Sequence, residues 1–209
     1  MIEVKNITKL FKDKAVFEKF NLNIGNGELV AITGKSGCGK TTLLNMIGLI
    51  DTVYNGEIEY NGTTLHSLSS RQKQIFIRNN INYLFQNYAL VDDSTVYDNL
   101  KLAMYYDKIP LKEKNEIIKK SLKEVNLAGY EDKKVYTLSG GEQQRVALAR
   151  AMIKKGNIIL ADEPTGNLDE ENRNIVLSSL IDQNKLGKTV IIVTHDPYVA
   201  SKCNRIINL

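Results

Sequence analysis

Two cysteines, Cys38 and Cys203, are too few in 209 residues for a disulfide scaffold, and no C-x-x-C pair is present to hold zinc. The longest purely apolar runs are about four residues, as at Ile158 to Ala161 and Val190 to Val193, whereas a membrane-spanning helix needs about 20. The opening Met1-Ile2-Glu3-Val4-Lys5-Asn6 lacks the basic-then-apolar order of a secretion signal. These absences predict a cytosolic protein. A strong charge of one sign is also missing. The 28 basic side chains stand against 24 acidic ones, a net +4 that admits anionic ligands but is no nucleic-acid-binding signature. With 43% hydrophobic and 25% charged residues the chain is neither disordered nor collagen-like. Its length only modestly exceeds the ~150-residue prior for one domain, so residues 1–209 are read as a single domain with a lobe inserted.

Apolar and polar residues alternate through the first 30 positions, as in Phe20-Asn21-Leu22-Asn23-Ile24, and again over Gly56 to Tyr60 before the turn pair Asn61-Gly62. That period predicts antiparallel strands. Three other apolar runs are continuous: Leu29 to Thr33, Asn157 to Ala161 and Thr189 to Thr194. Strands buried on both faces have this character, and helical patterns follow each, which predicts a mostly parallel sheet covered by helices. From about residue 87 to 138 only helical spacing is present, which predicts an inserted helical lobe completed by a helix over 139–155.

Gly34-Lys35-Ser36-Gly37-Cys38-Gly39-Lys40-Thr41 matches G-x-x-x-x-G-K-[ST], after a strand and before a helix. Glycines let such a loop curl so that its N–H groups point at phosphate oxygens, and the helix N-terminus adds partial positive charge. Lys40 then brings a full charge to the β- and γ-phosphates, and the Thr41 hydroxyl is placed to ligate Mg²⁺. The predicted ligand is a nucleoside triphosphate. Cys38 occupies a free position of the loop, so alkylating it should block nucleotide binding and bound ATP should protect it.

Asp162-Glu163 ends the second buried run, on the sheet edge where α/β proteins bind ligands. Asp162 fits a Mg²⁺ ligand and Glu163 the group that orients and deprotonates an attacking water. His195, one of two histidines, ends the third run and is placed to contact the γ-phosphate; Asp196-Pro197 read as N-cap and first residue of a helix. His66 lies in a polar turn and carries no such argument. Leu138-Ser139-Gly140-Gly141-Glu142-Gln143 spells a capping box, Ser139 with Glu142, around two glycines. Glycines in helical positions cost about 1 kcal/mol each relative to alanine, so a plain cap would not use them. Close approach of a phosphate to a free helix N-terminus would.

With this motif the sequence resembles the ATP-binding-cassette (ABC) ATPases, whose signature reads LSGGQ where this chain has LSGGE. The resemblance covers nearly the whole chain, in family order. Ala161-Asp162-Glu163-Pro164-Thr165-Gly166-Asn167-Leu168-Asp169 and Thr194-His195-Asp196-Pro197 are similar to the macrolide- and lipoprotein-exporter (MacB/LolD-like) branch and to small peptide- and bacteriocin-export cassettes. The fold implied is that of a P-loop NTPase. A head-to-tail dimer is implied with it, each ATP lying between the Gly34-to-Thr42 loop of one subunit and Ser139, Gly140, Gly141 and Glu142 of the other. By position, Phe11 matches the residue that stacks on adenine and Gln86 the glutamine that senses Mg²⁺ and the γ-phosphate. Asn167, Leu168 and Asp169 match the loop linking the two sites, and His195 the switch histidine. The partners implied are a second copy and an integral membrane permease, with no nucleic acid, and the place implied is the inner face of the cell membrane. After Gln86, Leu90-Val91-Asp92-Asp93-Ser94-Thr95-Val96 lacks the proline usual in this branch, in the region that faces the membrane subunit. Two other outputs remain open at this stage: force transmitted through a membrane partner without translocation, and a nucleic-acid-associated cassette.

Overall fold

The computed structural model describes residues 1–12, 14–166 and 168–209. Strands β1 (Ile2–Phe11), β2 (Lys14–Ile24), β4 (Asn55–Tyr60) and β5 (Thr63–Thr64) form an antiparallel sheet in the order β2-β1-β4-β5. The second sheet has the order β6-β7-β8-β3-β9, from β3 (Leu29–Thr33), β6 (Ile81–Leu84), β7 (Ile158–Asp162), β8 (Thr189–Val193) and β9 (Arg205–Asn208). Every pairing in it is parallel, where the sequence led us to expect only a majority.

The continuous apolar runs have the physical cause anticipated for them. Along β7 the side chains alternate between two cores: Ile158 and Leu160 join one, Ile159 and Ala161 the other. The first core also takes the inner face of the antiparallel sheet (Ile2, Val4, Phe17, Ile58) and helix α1 (Lys40–Ile47) through Leu43, Leu44, Met46 and Ile47. Helix α1 is thus held among both sheets, which fixes the loop that feeds its N-terminus.

The second core carries the helical lobe. Helix α3 (Val96–Lys101), a 3-10 turn at Leu102–Met104, α4 (Leu111–Glu124) and another such turn at Val135–Thr137 occupy the segment read as helical. Val96, Leu100, Ile118 and Leu122 pack there with Val146 and Leu148 of α5 (Gly140–Ile153), which stops two residues before the limit expected at 155. Three elements, β5, α2 and β9, went unread in the sequence. Helix α2 (Ser70–Asn80) buries none of its residues fully and is held at its start by a Ser69–Gln72 capping box; β9 is a short edge strand with three exposed residues. The remaining helices, α6 (Glu170–Lys185) and α7 (Pro197–Ser201), begin at side-chain caps, Asp169 and Asp196. Such a cap stabilises a helix by about 1 kcal/mol.

Candidate nucleotide site

The loop from Gly34 to Gly39 leaves β3 at the C-terminal edge of the parallel sheet and enters α1. Its three glycines all adopt positive φ: 147° at Gly34, 77° at Gly37 and 104° at Gly39. At Gly39, the residue preceding α1, a Cβ would stand 2.6 Å from Val16 and 2.8 Å from Phe17, so an L side chain is excluded by conformation and by space alike. The Lys40 ammonium donates to the carbonyls of Gly34 (2.9 Å) and Lys35 (3.0 Å), which draws the side chain back over the loop.

A cavity of about 610 Å³ opens above this loop. Ser36, Gly37, Cys38, Gly39, Lys40, Thr41 and Thr42 form its floor, Phe11, Lys14, Ala15 and Val16 one wall, and Gln86, Glu163 and Val193 the opposite side. Phe11 is 68% exposed and lies outside the core, its ring free to meet a planar group. Cys38 lines the same floor, at an intermediate depth.

Asp162 and Glu163 leave β7 in different conformations and do different things. Asp162 is buried at the strand end and accepts a hydrogen bond from the Thr41 hydroxyl at 3.1 Å. Burial pushes its carboxyl above the ordinary carboxylate range, with the Thr41 bond acting against that rise. Glu163 has φ 45°, a left-handed conformation that costs a non-glycine residue roughly 1–2 kcal/mol. The surroundings hold it there. Its N–H donates to the Val193 carbonyl at 2.9 Å, and its Oε2 lies 2.9 Å from His195 Nδ1 and 3.4 Å from the His195 N–H. The carboxylate is 14% exposed and the imidazole 68%. The strand ends of β7 and β8 therefore deliver the two side chains to each other, a contact that residues separated by 32 positions do not announce in sequence.

The signature segment is built differently. The Ser139 hydroxyl accepts from the Glu142 N–H, while the Glu142 carboxylate accepts from the Ser139 N–H at 2.8 Å and the Tyr130 hydroxyl at 2.8 Å. Those two donors hold the Glu142 carboxyl below its usual range. Gly140 and Gly141 occupy the first two helical positions of α5. A Cβ on Gly140 would stand 3.1 Å from the Tyr88 hydroxyl, and one on Gly141 3.0 Å from the Asn172 amide. The glycines therefore have a reason inside the chain as well as the phosphate approach expected from sequence. Tyr88 is itself held: its carbonyl and that of Ala89, both residues at positive φ, accept from the Arg150 guanidinium at 2.9 and 2.6 Å. Nothing in the spacing of Tyr88, Tyr130, Arg150 or Asn172 pointed to these contacts.

Of the residues predicted from sequence, the cavity collects Phe11, the loop from Ser36 to Thr42, Gln86 and Glu163, with Asp162 behind Thr41 and His195 behind Glu163. It does not collect Gly34 or Lys35, which meet Lys40 through their carbonyls instead, nor Ser139, Gly140, Gly141, Glu142 or Asp169. Ser139, Gly140 and Asp169 are exposed on the surface of the same chain. Asn167, predicted in the loop with Asp169, lies outside the described residues.

A phosphate loop with an acidic strand end is shared by many nucleotide-binding proteins; a capped double-glycine helix start on the same chain is far more restrictive. The family model described as ABC transporter matches residues 17–166. The chain belongs to this family. Over all 209 residues it is 41% identical to a macrolide export ATP-binding/permease protein, MacB, of Campylobacter jejuni, of which it covers 33%. It spans about a third of the length of the MacB relatives it matches. It is 38% identical to a bacitracin export ATP-binding protein, BceA, of Halalkalibacterium halodurans, with 99% of this chain and 84% of that one covered. Among solved structures, a dimeric structure of MJ0796, a bacterial ABC transporter cassette, superposes with a TM-score of 0.94 at 37% identity, covering 100% of this chain and 94% of that one. A second MJ0796 structure is a dimeric post-hydrolysis state bound to ADP and Pi, with a TM-score of 0.93 at 36% identity. Among the described residues of this ABC cassette, no helix is long and apolar enough to cross a membrane.

Proposed function

We propose that this cassette binds Mg-ATP in the 610 Å³ cavity, closes head-to-tail with a second copy around two ATPs, and hydrolyses them to drive a separate membrane permease in export. The observation that carries this reading is the division of the motifs. The cavity gathers the phosphate loop, Gln86 and Glu163, while the signature turn is capped, ordered and turned elsewhere on the surface. Two such chains related by a twofold axis would set each turn over the other's loop, the isologous arrangement of most dimers. The dimeric MJ0796 cassettes, one with ADP and Pi, and the export relatives support it.

The donor set fits a Mg²⁺ ion carried with the nucleotide. Thr41 and Asp162 are already in contact around a buried, cation-seeking carboxylate, and Gln86 faces the same cavity. The remaining ligands of an octahedral ion would come from phosphate oxygens and water, as is usual for Mg²⁺. When bound, the ion would neutralise charge on the β- and γ-phosphates.

Lys40 would meet the phosphates with a fixed positive charge, exchanging its carbonyl partners for charge-assisted bonds. Glu163, held by His195, would take a proton from the water whose oxygen attacks the γ-phosphorus as the bond to the β-γ bridging oxygen breaks, leaving ADP and phosphate. Ser139, Gly140 and Gly141 would touch the partner's γ-phosphate only in the closed dimer, so ATP favours closure and its hydrolysis releases it. Phe11 would stack on the adenine, and Asp169 would lie near the partner's site.

A second cavity, of about 540 Å³, is where the permease would dock. It lies beside the segment following Gln86, with Ile50, Leu102 and Tyr106 exposed around it and Arg150 and Lys154 in its lining. The cassette itself would then work on the inner face of the membrane.

The test is Glu163→Gln at saturating Mg-ATP, followed by size-exclusion with light scattering. Turnover should fall by about 10²–10⁴-fold, the usual effect of losing a general base, while a dimer accumulates that is absent without ATP. A monomer at saturating nucleotide would overturn the dimer reading. Retention of the permease on the tagged cassette from detergent-solubilised membranes, identified by its membrane-spanning sequence, tests the partner.

A further inference from the structure

Gly141 and Asp169 lie on different elements, one in the first turn of α5 and the other capping α6, yet one side chain reaches both. The Asn172 amide nitrogen donates to the two carboxylate oxygens of Asp169 at 2.9 and 2.8 Å, while the Asn172 backbone N–H gives the same carboxylate a third bond at 2.8 Å. The amide group is thereby pinned at its polar end. Its Cγ and Nδ2 lie 3.0 Å, and its Oδ1 3.2 Å, from where a Gly141 Cβ would stand. A long, mobile side chain could swing clear of an added methyl; one tied to its neighbour by two side-chain bonds must strain them to give the few tenths of an ångström required. The half-buried amide therefore fills the notch that glycine leaves at the second position of α5.

Resting on the proposed dimer, in which both segments meet the partner's nucleotide, we propose that Asn172 is a positioning residue that locks the signature turn to the Asp169 loop, and that Gly141 is required as the seat for this amide. The two segments would then move as one body when the dimer closes. The three bonds to Asp169 also hold its carboxyl low, so it accepts them as a carboxylate at neutral pH.

The experiment is a double-mutant cycle of Gly141→Ala and Asn172→Ala, read in two ways. In the Glu163→Gln background, Gly141→Ala should weaken ATP-driven dimerisation by about tenfold, within the range of couplings between contacting residues. Asn172→Ala should cost about threefold, through loss of the lock alone, and the double variant should return to that smaller loss because the methyl now has room. Nucleotide affinity of the monomer should be unchanged in all three. In the nucleotide-free chain carrying native Glu163, Gly141→Ala should lower Tm, against the rise that alanine's greater helix propensity would produce, and Asn172→Ala should restore it. A double variant as impaired in dimerisation as Gly141→Ala alone would assign the glycine requirement to the partner's phosphate and overturn the proposal. So would a Tm for Gly141→Ala at or above the parent's. Should the Tm pattern hold while Glu163→Gln itself stays monomeric, the seat stands and the dimer reading falls.

Discussion

The phosphate loop and the signature turn both place the N-terminus of a helix at the surface, and they are completed to very different degrees by a single chain. Around the loop the fold supplies a floor, an exposed aromatic wall, a carboxylate touching the Thr41 hydroxyl and a second carboxylate paired with a histidine. Around the turn the described residues supply support: a capping box, the Tyr130 hydroxyl, and the Tyr88 and Asn172 side chains 3.1 and 3.0 Å from where Cβ atoms would stand. The acidic groups differ in the same sense. Burial raises the Asp162 carboxyl, leaving a group that gains from a cation, whereas hydrogen bonds lower Glu142, a group already satisfied within its own chain. One region encloses a cavity; the other lies on the surface, with Ser139 and Gly140 exposed.

The largest separation of the two should come from Lys40→Ala. Removing the loop's fixed charge should weaken nucleotide binding by about 100-fold, the loss expected for charge-assisted bonds, and abolish phosphate release. Calorimetric titration with ATP checks it, and unaltered affinity would show that the ammonium never leaves the carbonyls of Gly34 and Lys35. Ser139→Ala acts on the other region. It should lower stability by about 1 kcal/mol, the usual value of an N-cap, and impair ATP-driven dimerisation. Monomer affinity for ATP should stay where it was; a parallel fall in affinity would mean that the turn serves its own chain's site.

Smaller again is Phe11→Ala, which should raise the KM for ATP a few-fold with kcat retained, since stacking on an aromatic stabilises by about 1 kcal/mol. Phe11→Tyr should restore it, and an equal loss in both variants would argue against stacking. The finest probe is the pH dependence of Glu142→Gln. A carboxyl held low in the folded state contributes stability above its unfolded value of 4.5 and loses it as the pH falls through the lowered folded value. The gap in Tm between native chain and variant should be open at pH 7 and close below 4.5. A gap that does not narrow on acidification would separate the stabilisation from the charge.

Much of this architecture was legible beforehand, for identifiable reasons. Leu29–Thr33 was read to the residue because a strand buried on both faces carries a continuous apolar run, and its short length between Gly27 and Gly34 argues against a helix. The Ser139–Glu142 box and the Asp196-Pro197 start were equally plain, since capping is chemistry between residues three apart or fewer. Helix α2 went unread although its Ser69–Gln72 cap marks the start; it rests on the surface, where Phe76 and Ile77 are only partly buried against the core. The last two residues expected in α5 proved to lie beyond its end, where Lys154 turns extended and no cap residue marks the stop.

Within the candidate site the division is sharper. Spacing alone picked out the loop from Gly34 to Thr41, the Asp162-Glu163 pair and the double glycine, because each motif is a local solution to a local requirement: a curled backbone, a strand end, a free helix start. Only the tertiary structure decided that His195 approaches Glu163, that Glu163 does so from a left-handed backbone, and that Tyr88 and Asn172 lie over the two glycines. The parallel order β7-β8 brings His195 to Glu163, the packing of α5 against α6 brings Asn172 to Gly141, and the Arg150 bond to the segment after β6 holds Tyr88 near Gly140. A hydrogen bond or a seated side chain depends on distance in space, and the sequence carries that distance only through the fold.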